Sequence, residues 1–397
     1  MSSSRSQPLA GRRIWIVGVG GAGMSAYALL ARAWGAEVAG WDRVVTPYLA
    51  HLEGVEVAVS PEPPQPPPGW EVYVSTAFSG QVEGRPRADL LAELVSLRRS
   101  IVVAGAHGKT TTSAMVAFCL DRLGLDPAFL IGGGVAQLGG NARAGAGWLV
   151  VEGDESDRSV AALRPQIAVL LNVDLDHHTT FGSRAEVAAL YEEWLAHVPQ
   201  TVRAEQLAPL ELELAVAGEH NRRNAAAALA ALELAGVARA AAERVIVEFA
   251  GVGRRLERRG EAGGVAVLDS YAHHPAELTA DLAAVRDGGR VLVLFQPHLY
   301  SRTLHLAHDF AVALAAADGV CVTEIYAARE QPLQGVTGRL VVEELARVRP
   351  GMRIGWAPSP EDGARLVAGW ARSGDTVLTL GAGDVDRVAP LLLEALA

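Results

Sequence analysis

Short runs of Val, Ile and Leu, each ended by glycine or a charge, alternate along this chain with longer Ala- and Leu-rich stretches. That alternation predicts an α/β protein built from mainly parallel, helix-covered sheets. Residues 13–17 read as a buried strand, 24–35 as a helix and 36–41 as a second strand, followed by a strand at 70–75 and a helix at 88–97. A second alternation starts with a buried strand at 100–104 and a helix from about 111 to 123. It continues through strands at 148–151 and 167–173, an alternating half-exposed strand at 211–216 and an Ala-rich helix from 218 to about 234. After a glycine-flexed basic joint at 251–255, a third begins: strand 265–268, helix 275–285, strand 290–295, helix 304–316. A strand at 320–323, a helix at 341–347 and a strand at 376–380 complete it. The proline-rich run 61–68 fits neither helix nor central strand and is expected as an exposed connection. Three domains are therefore expected, at 1–99, 100–253 and 254–397.

Composition narrows the class. With 397 residues, half of them apolar and 20% charged, the chain is long enough for two or three cores and is not a disordered sequence. A net charge of −10 argues against a nucleic-acid partner, which needs a basic face. Two cysteines, Cys119 and Cys321, lie far apart in apolar segments, so neither a disulfide framework nor a cysteine zinc site is expected. The longest apolar stretches are broken by glycine or charge, which excludes a membrane helix, and a cytoplasmic location is expected.

Chemistry concentrates at the ends of the predicted strands. Gly18-Val-Gly-Gly-Ala-Gly23 follows the first strand, and Asp42 ends the second, about twenty positions on. This is the nucleotide-diphosphate fingerprint of a βαβ unit, in which glycines let backbone approach a pyrophosphate at a helix N-terminus. The strand at 100–104 feeds Gly105-Ala-His-Gly-Lys-Thr-Thr-Thr112. Of 35 basic residues only Lys109 is a lysine. A glycine-cradled phosphate needs a compact ammonium rather than a planar fork, and the following Thr110 can ligate Mg²⁺. Val103 stands where the strict phosphate-loop pattern has its first glycine, so the loop is a shortened variant. Glu152-Gly-Asp-Glu-Ser-Asp157 ends another strand and is suited to cation ligation; as a solvated acidic turn it would be unremarkable elsewhere. Asp174-Leu-Asp-His-His178 is a second candidate, with imidazole able to take Mg²⁺ or Mn²⁺ although oxygen is preferred. In the last third, Asp269–Pro275 and Gln296–Thr303 are two polar clusters expected at adjacent strand ends, facing one cleft.

In order and spacing these motifs resemble the Mur ligase family. The matching stretches are Gly18–Ser25, Gly105–Thr112, Glu152–Asp157, Asn172–His177, Gly218–Asn221, Asp269–Pro275, Phe295–Thr303 and Gly381–Asp384. Within the family the resemblance is closest to members that join L-alanine to UDP-N-acetylmuramate. It implies an N-terminal UDP-sugar-binding domain, a central P-loop ATPase and a Rossmann-like C-terminal ligase domain. It also implies a reaction. ATP phosphorylates the muramoyl carboxylate, and the amine of L-alanine attacks the acyl phosphate. By motif position, Gly18, Gly20, Gly21, Gly23 and Asp42 would bind the UDP-sugar. Gly105, Ala106, His107, Gly108, Lys109, Thr110 and Thr111 would bind ATP, with Lys109 on the β- and γ-phosphates. Thr110 and Glu152 would ligate one Mg²⁺ and His177 a second, with Mn²⁺ as a substitute. Asn221 would lie near adenine, Asp269 near the ribose, and Arg254 or Arg255 on a phosphate. Tyr271, His273, His274 and Arg302, with His107, would face the muramoyl and amino-acid end, His273 as a positioning group. No nucleic-acid or membrane partner is implied, and the protein is expected as a monomer or homodimer.

The chain also departs from the pattern. Ala106 replaces a threonine of the usual loop, Leu299 an arginine, and Ser270 the second Asp of the usual Asp-Asp-Tyr. The stretches 75–90 and 178–218 are shorter than the family's. Some sister ligases use a carbamylated lysine on the second metal, a device this single-lysine chain lacks. Three rivals stand beside the alanine-adding reading: a recycling ligase that attaches a tripeptide to the same UDP-sugar, a UDP-sugar-binding descendant without activity, and a nicotinamide-dependent dehydrogenase. The last leaves Lys109, Glu152 and both histidine clusters without a role.

Overall fold

The computed structural model describes residues 7–176, 180–286, 289–328 and 330–397, and it holds three sheets. By spatial contact the chain divides into two compact units. The first comprises Met1–Asp174, Arg184–Glu213 and Arg223–Phe249; the second comprises Leu175–Ser183, Leu214–Arg222 and Ala250–Ala397. Two short segments that are central in sequence thus pack with the C-terminal third.

The first unit contains two sheets. One is formed by β1 (Arg13–Val17), β2 (Glu37–Asp42), β3 (Glu56–Val59), β4 (Glu71–Val74) and β5 (Arg85–Pro86), all parallel, in the order β3-β2-β1-β4-β5. Helices α1 (Ala22–Ala33) and α2 (Arg87–Ser96) complete it. The other has the order β11-β10-β6-β9-β7-β8, from β6 (Ser100–Ala104), β7 (Ala128–Val135), β8 (Gly140–Arg143), β9 (Leu149–Gly153), β10 (Ile167–Leu170) and β11 (Gln200–Arg203). Only the β7–β8 pair is antiparallel. Every residue of β6 is buried, as a central parallel strand requires. Helix α3 (Lys109–Arg122) is buried continuously from Thr111 to Leu120, and Phe118 packs edge-on against Phe249 at 5.6 Å. A helix apolar on every side must be covered on every side, which explains its weak amphipathic pattern. Helices α4 (Arg184–Leu195), α5 (Glu219–Leu234, of which the residues from Arg223 on belong to this unit) and α6 (Arg239–Ile246) follow.

The second unit carries the order β12-β13-β17-β14-β15-β16: β12 (Glu257–Ala262), β13 (Val265–Ser270), β14 (Val291–Phe295), β15 (Gly319–Val322), β16 (Arg353–Trp356) and β17 (Thr376–Leu380). Helices α7 (Pro275–Val285), α8 (Tyr300–Leu314), α9 (Arg339–Val348), α10 (Pro360–Ala368) and α11 (Ala389–Leu396) cover it. Phe295, Phe310, Leu314, Val320, Leu345 and Leu380 lie in the core on one side of this sheet. Leu292, Leu294, Cys321 and Leu392 lie in the core on the other.

Three expectations need correction. Residues 211–216 form no strand: the alternation is present, but the segment is mostly exposed and finds no sheet edge. β12 was not foreseen, because Glu-Arg-Arg-Gly-Glu-Ala shows no apolar run. It exists through antiparallel pairing with β13 and carries a register shift between Arg258 and Gly260. The clusters after β13 and β14 are not at adjacent strand ends, since β17 lies between those strands. The run 61–68 lies outside helix and strand and is mostly exposed, and both cysteines are buried and free. Among the described residues no helix is long and apolar enough to cross a membrane.

Candidate active site

The glycine loop of the first sheet leaves β1 at Gly18, whose backbone is left-handed at φ +82°. A Cβ there would stand 2.4 Å from Ser75 Oγ, so only glycine fits. Gly21 caps α1, and Gly23 lies in its first turn. Asp42, at the end of β2, is buried and aims both oxygens at backbone. Oδ2 accepts the Gly20 amide at 2.8 Å and Oδ1 the Arg43 amide at 2.7 Å. Thr46 Oγ1 donates to the Gly20 carbonyl at 2.7 Å. The expected substrate-binding carboxylate thus holds the shape of the loop.

The phosphate loop runs from β6 through Gly105, Ala106, His107 and Gly108 into α3, with Lys109 as the first helical residue. Gly108 is left-handed at φ +86°, and a Cβ would meet Asn224 Oδ1 at 2.5 Å. Asn172, just beyond β10, clamps the loop from the neighbouring strand. His107 N donates to its Oδ1 and its Nδ2 donates to the His107 carbonyl, both at 2.9 Å. Lys109 Nζ is held by the Gly105 carbonyl at 2.6 Å and by Glu155 at 3.0 and 3.2 Å. Burial pulls its pKa down, but Glu155, with Asp154 and Glu152 beyond it, outweighs this and holds the ammonium above its usual range. Thr110 Oγ1 donates to Glu152 Oε2 at 3.1 Å, and the Gly132 amide donates to Oε1 at 2.5 Å. The two expected ligands of one cation are therefore side by side, and hard oxygen donors of this kind suit Mg²⁺. Thr111 is buried behind them.

The four carboxylates of the acidic turn divide their work, which sequence alone did not reveal. Glu152 faces Thr110, and Glu155 faces Lys109. Asp154 and Asp157 both accept from Arg87 Nη2, at 3.3 and 2.8 Å, which ties the turn to the start of α2. Tyr191 on α4 is buried, and its hydroxyl pKa is pushed up by burial and then by the charge of Glu155. His177, expected on a second cation, lies outside the described residues, as does His178.

The second unit brings together most of the other expected residues. Arg254, left-handed at φ +58°, donates to Asp269 at 3.1 Å and to the Gly381 and Gly383 carbonyls at 2.7 and 3.0 Å. Its guanidinium lies 5.2 Å from the Tyr271 ring centre. Asp269, expected beside a ribose, is fully buried. As the penultimate residue of β13 it faces β17, where Thr379 Oγ1 donates to its other oxygen at 2.6 Å, and burial pushes its pKa up. Its Oδ2 holds the Arg254 guanidinium. Arg255 pairs with Glu277 at 3.2 Å.

Tyr271, His273, His298 and Tyr326 form a ring-to-ring row, with centres 5.3, 5.7 and 5.8 Å apart. This row joins the clusters after β13 and β14 despite the intervening β17. Burial lowers the His273 pKa to about 4, so the ring is neutral at physiological pH. His274 is the N-cap of α7, its Nδ1 accepting from the Ala276 amide at 3.4 Å. Arg302 is buried and already occupied. Nε and Nη2 hold Asp176 Oδ1 at 2.9 and 2.8 Å, and Nη1 lies 3.0 Å from His298 Nδ1. Asp176 belongs to the second candidate cation cluster, and its pairing with Arg302, 126 positions on, has no signal in the sequence. Asn221, in the first turn of α5, donates to the Ala217 carbonyl at 2.6 Å.

Residues 103–204 match the Mur ligase middle domain, and residues 254–383 match the Mur ligase glutamate ligase domain. The UDP-N-acetylmuramate–L-alanine ligase of Streptomyces coelicolor is 36% identical, the match covering 98% of this chain and 99% of that protein. The enzyme of the same name from Rubrobacter xylanophilus is also 36% identical, over 97% of this chain and 100% of its own. The Streptomyces alignment runs over 466 positions, more than the 397 residues here, so that relative carries insertions this chain lacks. The crystal structure of UDP-N-acetylmuramate–alanine ligase from Thermotoga maritima superposes with a TM-score of 0.77 at 25% identity, covering 96% of this chain and 98% of that one. A murein peptide ligase from Psychrobacter arcticus gives a TM-score of 0.64 at 24% identity, which speaks for the fold alone. With matching domain models, full-length relatives and the phosphate-loop geometry in agreement, the chain belongs to the Mur ligase family.

Proposed function

We propose that this chain is an ATP-dependent ligase that joins L-alanine to the muramoyl carboxylate of UDP-N-acetylmuramate, in the synthesis of peptidoglycan precursors. The observation that carries this reading is the phosphate loop, where the chain's single lysine stands beside the Thr110–Glu152 pair. The full-length relatives named for L-alanine addition select the substrates.

Two anions must meet for the reaction to begin, so positive charge has to gather around the transferring phosphoryl group. On ATP binding Lys109 would exchange Glu155 for the β- and γ-phosphate oxygens, while the Gly105–Thr111 backbone cradles them. Thr110 and Glu152 would hold Mg²⁺, which supplies charge neutralisation at the phosphates; a second ion would fall to His177. The γ-phosphoryl passes to the muramoyl carboxylate with loss of ADP. The alanine amine then attacks the acyl carbon, expelling phosphate and leaving the amide. Gly18, Gly20, Gly21 and Gly23, shaped by Asp42, would take the UDP diphosphate. Asn221 would lie by adenine, and Arg254 or Arg255 by a phosphate. Tyr271, His273 and Arg302, with His107 and His274, would serve the muramoyl and amino-acid end.

The reading includes domains at 1–99, 100–253 and 254–397, a cytoplasmic location, and a monomer or homodimer. ADP release with UDP-N-acetylmuramate and Mg²⁺ tests it, with L-alanine, other amino acids and tripeptide offered in turn. Release with L-alanine is expected. Release with tripeptide alone would reassign the chain to the recycling ligases, and none from folded protein would mark a UDP-sugar-binding descendant, the outcome that Ala106 and Leu299 keep in view.

A further inference from the structure

Helix α7 carries Glu277 and Asp281 four residues apart, so both carboxylates project from one face. Glu277 Oε2 accepts the His273 amide at 3.0 Å. One turn further on, Asp281 Oδ2 accepts from Ser270 Oγ at 2.5 Å, and Ser270 Oγ in turn accepts the Ala272 amide at 3.2 Å. The loop bearing Tyr271 and His273 is therefore gripped at both ends by one helix. Ser270 and Asp281 are both buried, where neither hydroxyl nor carboxylate can turn to water. Ser270 is also the position at which the resemblance leads one to expect a second aspartate, so the acid absent from the loop is present on the helix beneath it.

We propose that Asp281 is a positioning residue of the ligase: through Ser270 it fixes the backbone of the 270–273 loop, and so the directions of Tyr271 and His273. The inference rests on the function proposed above. Two further charged groups bear on Asp281, namely Arg255, which draws its pKa down, and Glu277, which raises it. Burial dominates and pushes the carboxyl up to about 7.

The test uses Ser270→Ala, Asp281→Ala, Asp281→Asn and the Ser270→Ala/Asp281→Ala pair in the full chain. Each alanine variant is expected to lower kcat about fivefold, the worth of one net hydrogen bond. The KM for ATP stays unchanged, because the phosphate loop is untouched. The double variant falls no further than either single one, since both break the same link. Asp281→Asn keeps an acceptor oxygen and recovers most of the loss. Wild-type kcat in folded Asp281→Ala, or losses that multiply in the double variant, would overturn the proposal.

Thermal melting supplies a readout that needs no substrate. The folded-state pKa of Asp281 lies above the unfolded value of about 3.9, so its contribution to stability declines as pH rises from there through about 7. Asp281→Asn lacks that decline, so its Tm relative to wild type should be higher at pH 8 than at pH 5. Other titrating groups, His273 among them, occur in both chains and cancel in the difference. A Tm difference independent of pH would also overturn the proposal. If ADP release proves to need tripeptide rather than L-alanine, the assigned function is corrected, and both the kinetic comparison and the melting comparison still stand on their own results.

Discussion

The two glycine loops of the first unit share one plan and differ in what surrounds them. Each leaves a buried parallel strand and opens a helix, so each offers backbone amides and a helix N-terminus to an anion. Around Gly18–Gly23, the neighbouring strand contributes one carboxylate, Asp42, spent on the backbone amides of Gly20 and Arg43. Around Gly105–Thr110, neighbouring strands contribute the Asn172 clamp, Glu152 beside Thr110 and Glu155 beside Lys109. On the proposed function the first would hold a diphosphate that never reacts. The second, with an ammonium beside Glu155 and oxygen donors on Thr110 and Glu152, would on that same proposal serve a phosphoryl group in transfer. The distinction lies in the strands beside each loop, more than in the glycines.

The largest test of that contrast is Lys109→Arg. A planar fork cannot take the place of an ammonium seated between the Gly105 carbonyl and Glu155, and kcat is expected to fall by about three orders of magnitude. The affinity for UDP-N-acetylmuramate, measured by calorimetry, should be unchanged, and full turnover in this variant would remove the phosphoryl-transfer role from the loop. Glu152→Gln comes next, with a loss of about a hundredfold at fixed Mg²⁺ that a Mg²⁺ titration recovers in part. A loss that no Mg²⁺ concentration eases would make Glu152 a structural partner of Gly132 and Thr110 only. Asn172→Ala removes two hydrogen bonds from His107 and should raise the KM for ATP about tenfold, leaving UDP-sugar binding alone. Equal weakening of both ligands would show that the two loops are not independent. The smallest effect is expected from Asp42→Asn, which trades a carboxylate acceptor for an amide. UDP-sugar affinity should drop about threefold with the KM for ATP constant, and the reverse pattern would dissolve the comparison.

Elements whose signal is local were legible in the sequence. The strands Ser100–Ala104 and Thr376–Leu380 and the helix Pro275–Val285 fall where the apolar pattern places them, because a buried strand or a capped helix announces itself within its own residues. Pattern failed where existence depends on a partner. Residues 211–216 alternate correctly yet pair with nothing, whereas Glu257–Ala262, with no apolar run, is a strand because β13 offers an edge. The candidate site divides in the same way. Lys109, Thr110 and Glu152 stood out as residues, but Asn172 as the loop clamp and Asp176 as the partner of Arg302 did not, since each contact crosses many positions of chain. Asp269 was visible and its surroundings were not: only the register with β17 shows that Thr379 and Arg254 enclose it.

What the sequence determined alone is the set of chemical parts and the strand ends that bear them. Glycine spacing, a solitary lysine after glycine and an acidic turn at a strand end are local features, legible without the packing around them. The tertiary structure decided how the parts are used. It divided four neighbouring carboxylates between a threonine, a lysine and an arginine, closed Arg302 onto Asp176, and set Asp281 beneath Ser270. A side chain's type limits what it can do, but in a buried site its partners arrive from distant strands and helices, and those partners set its charge, its direction and its availability.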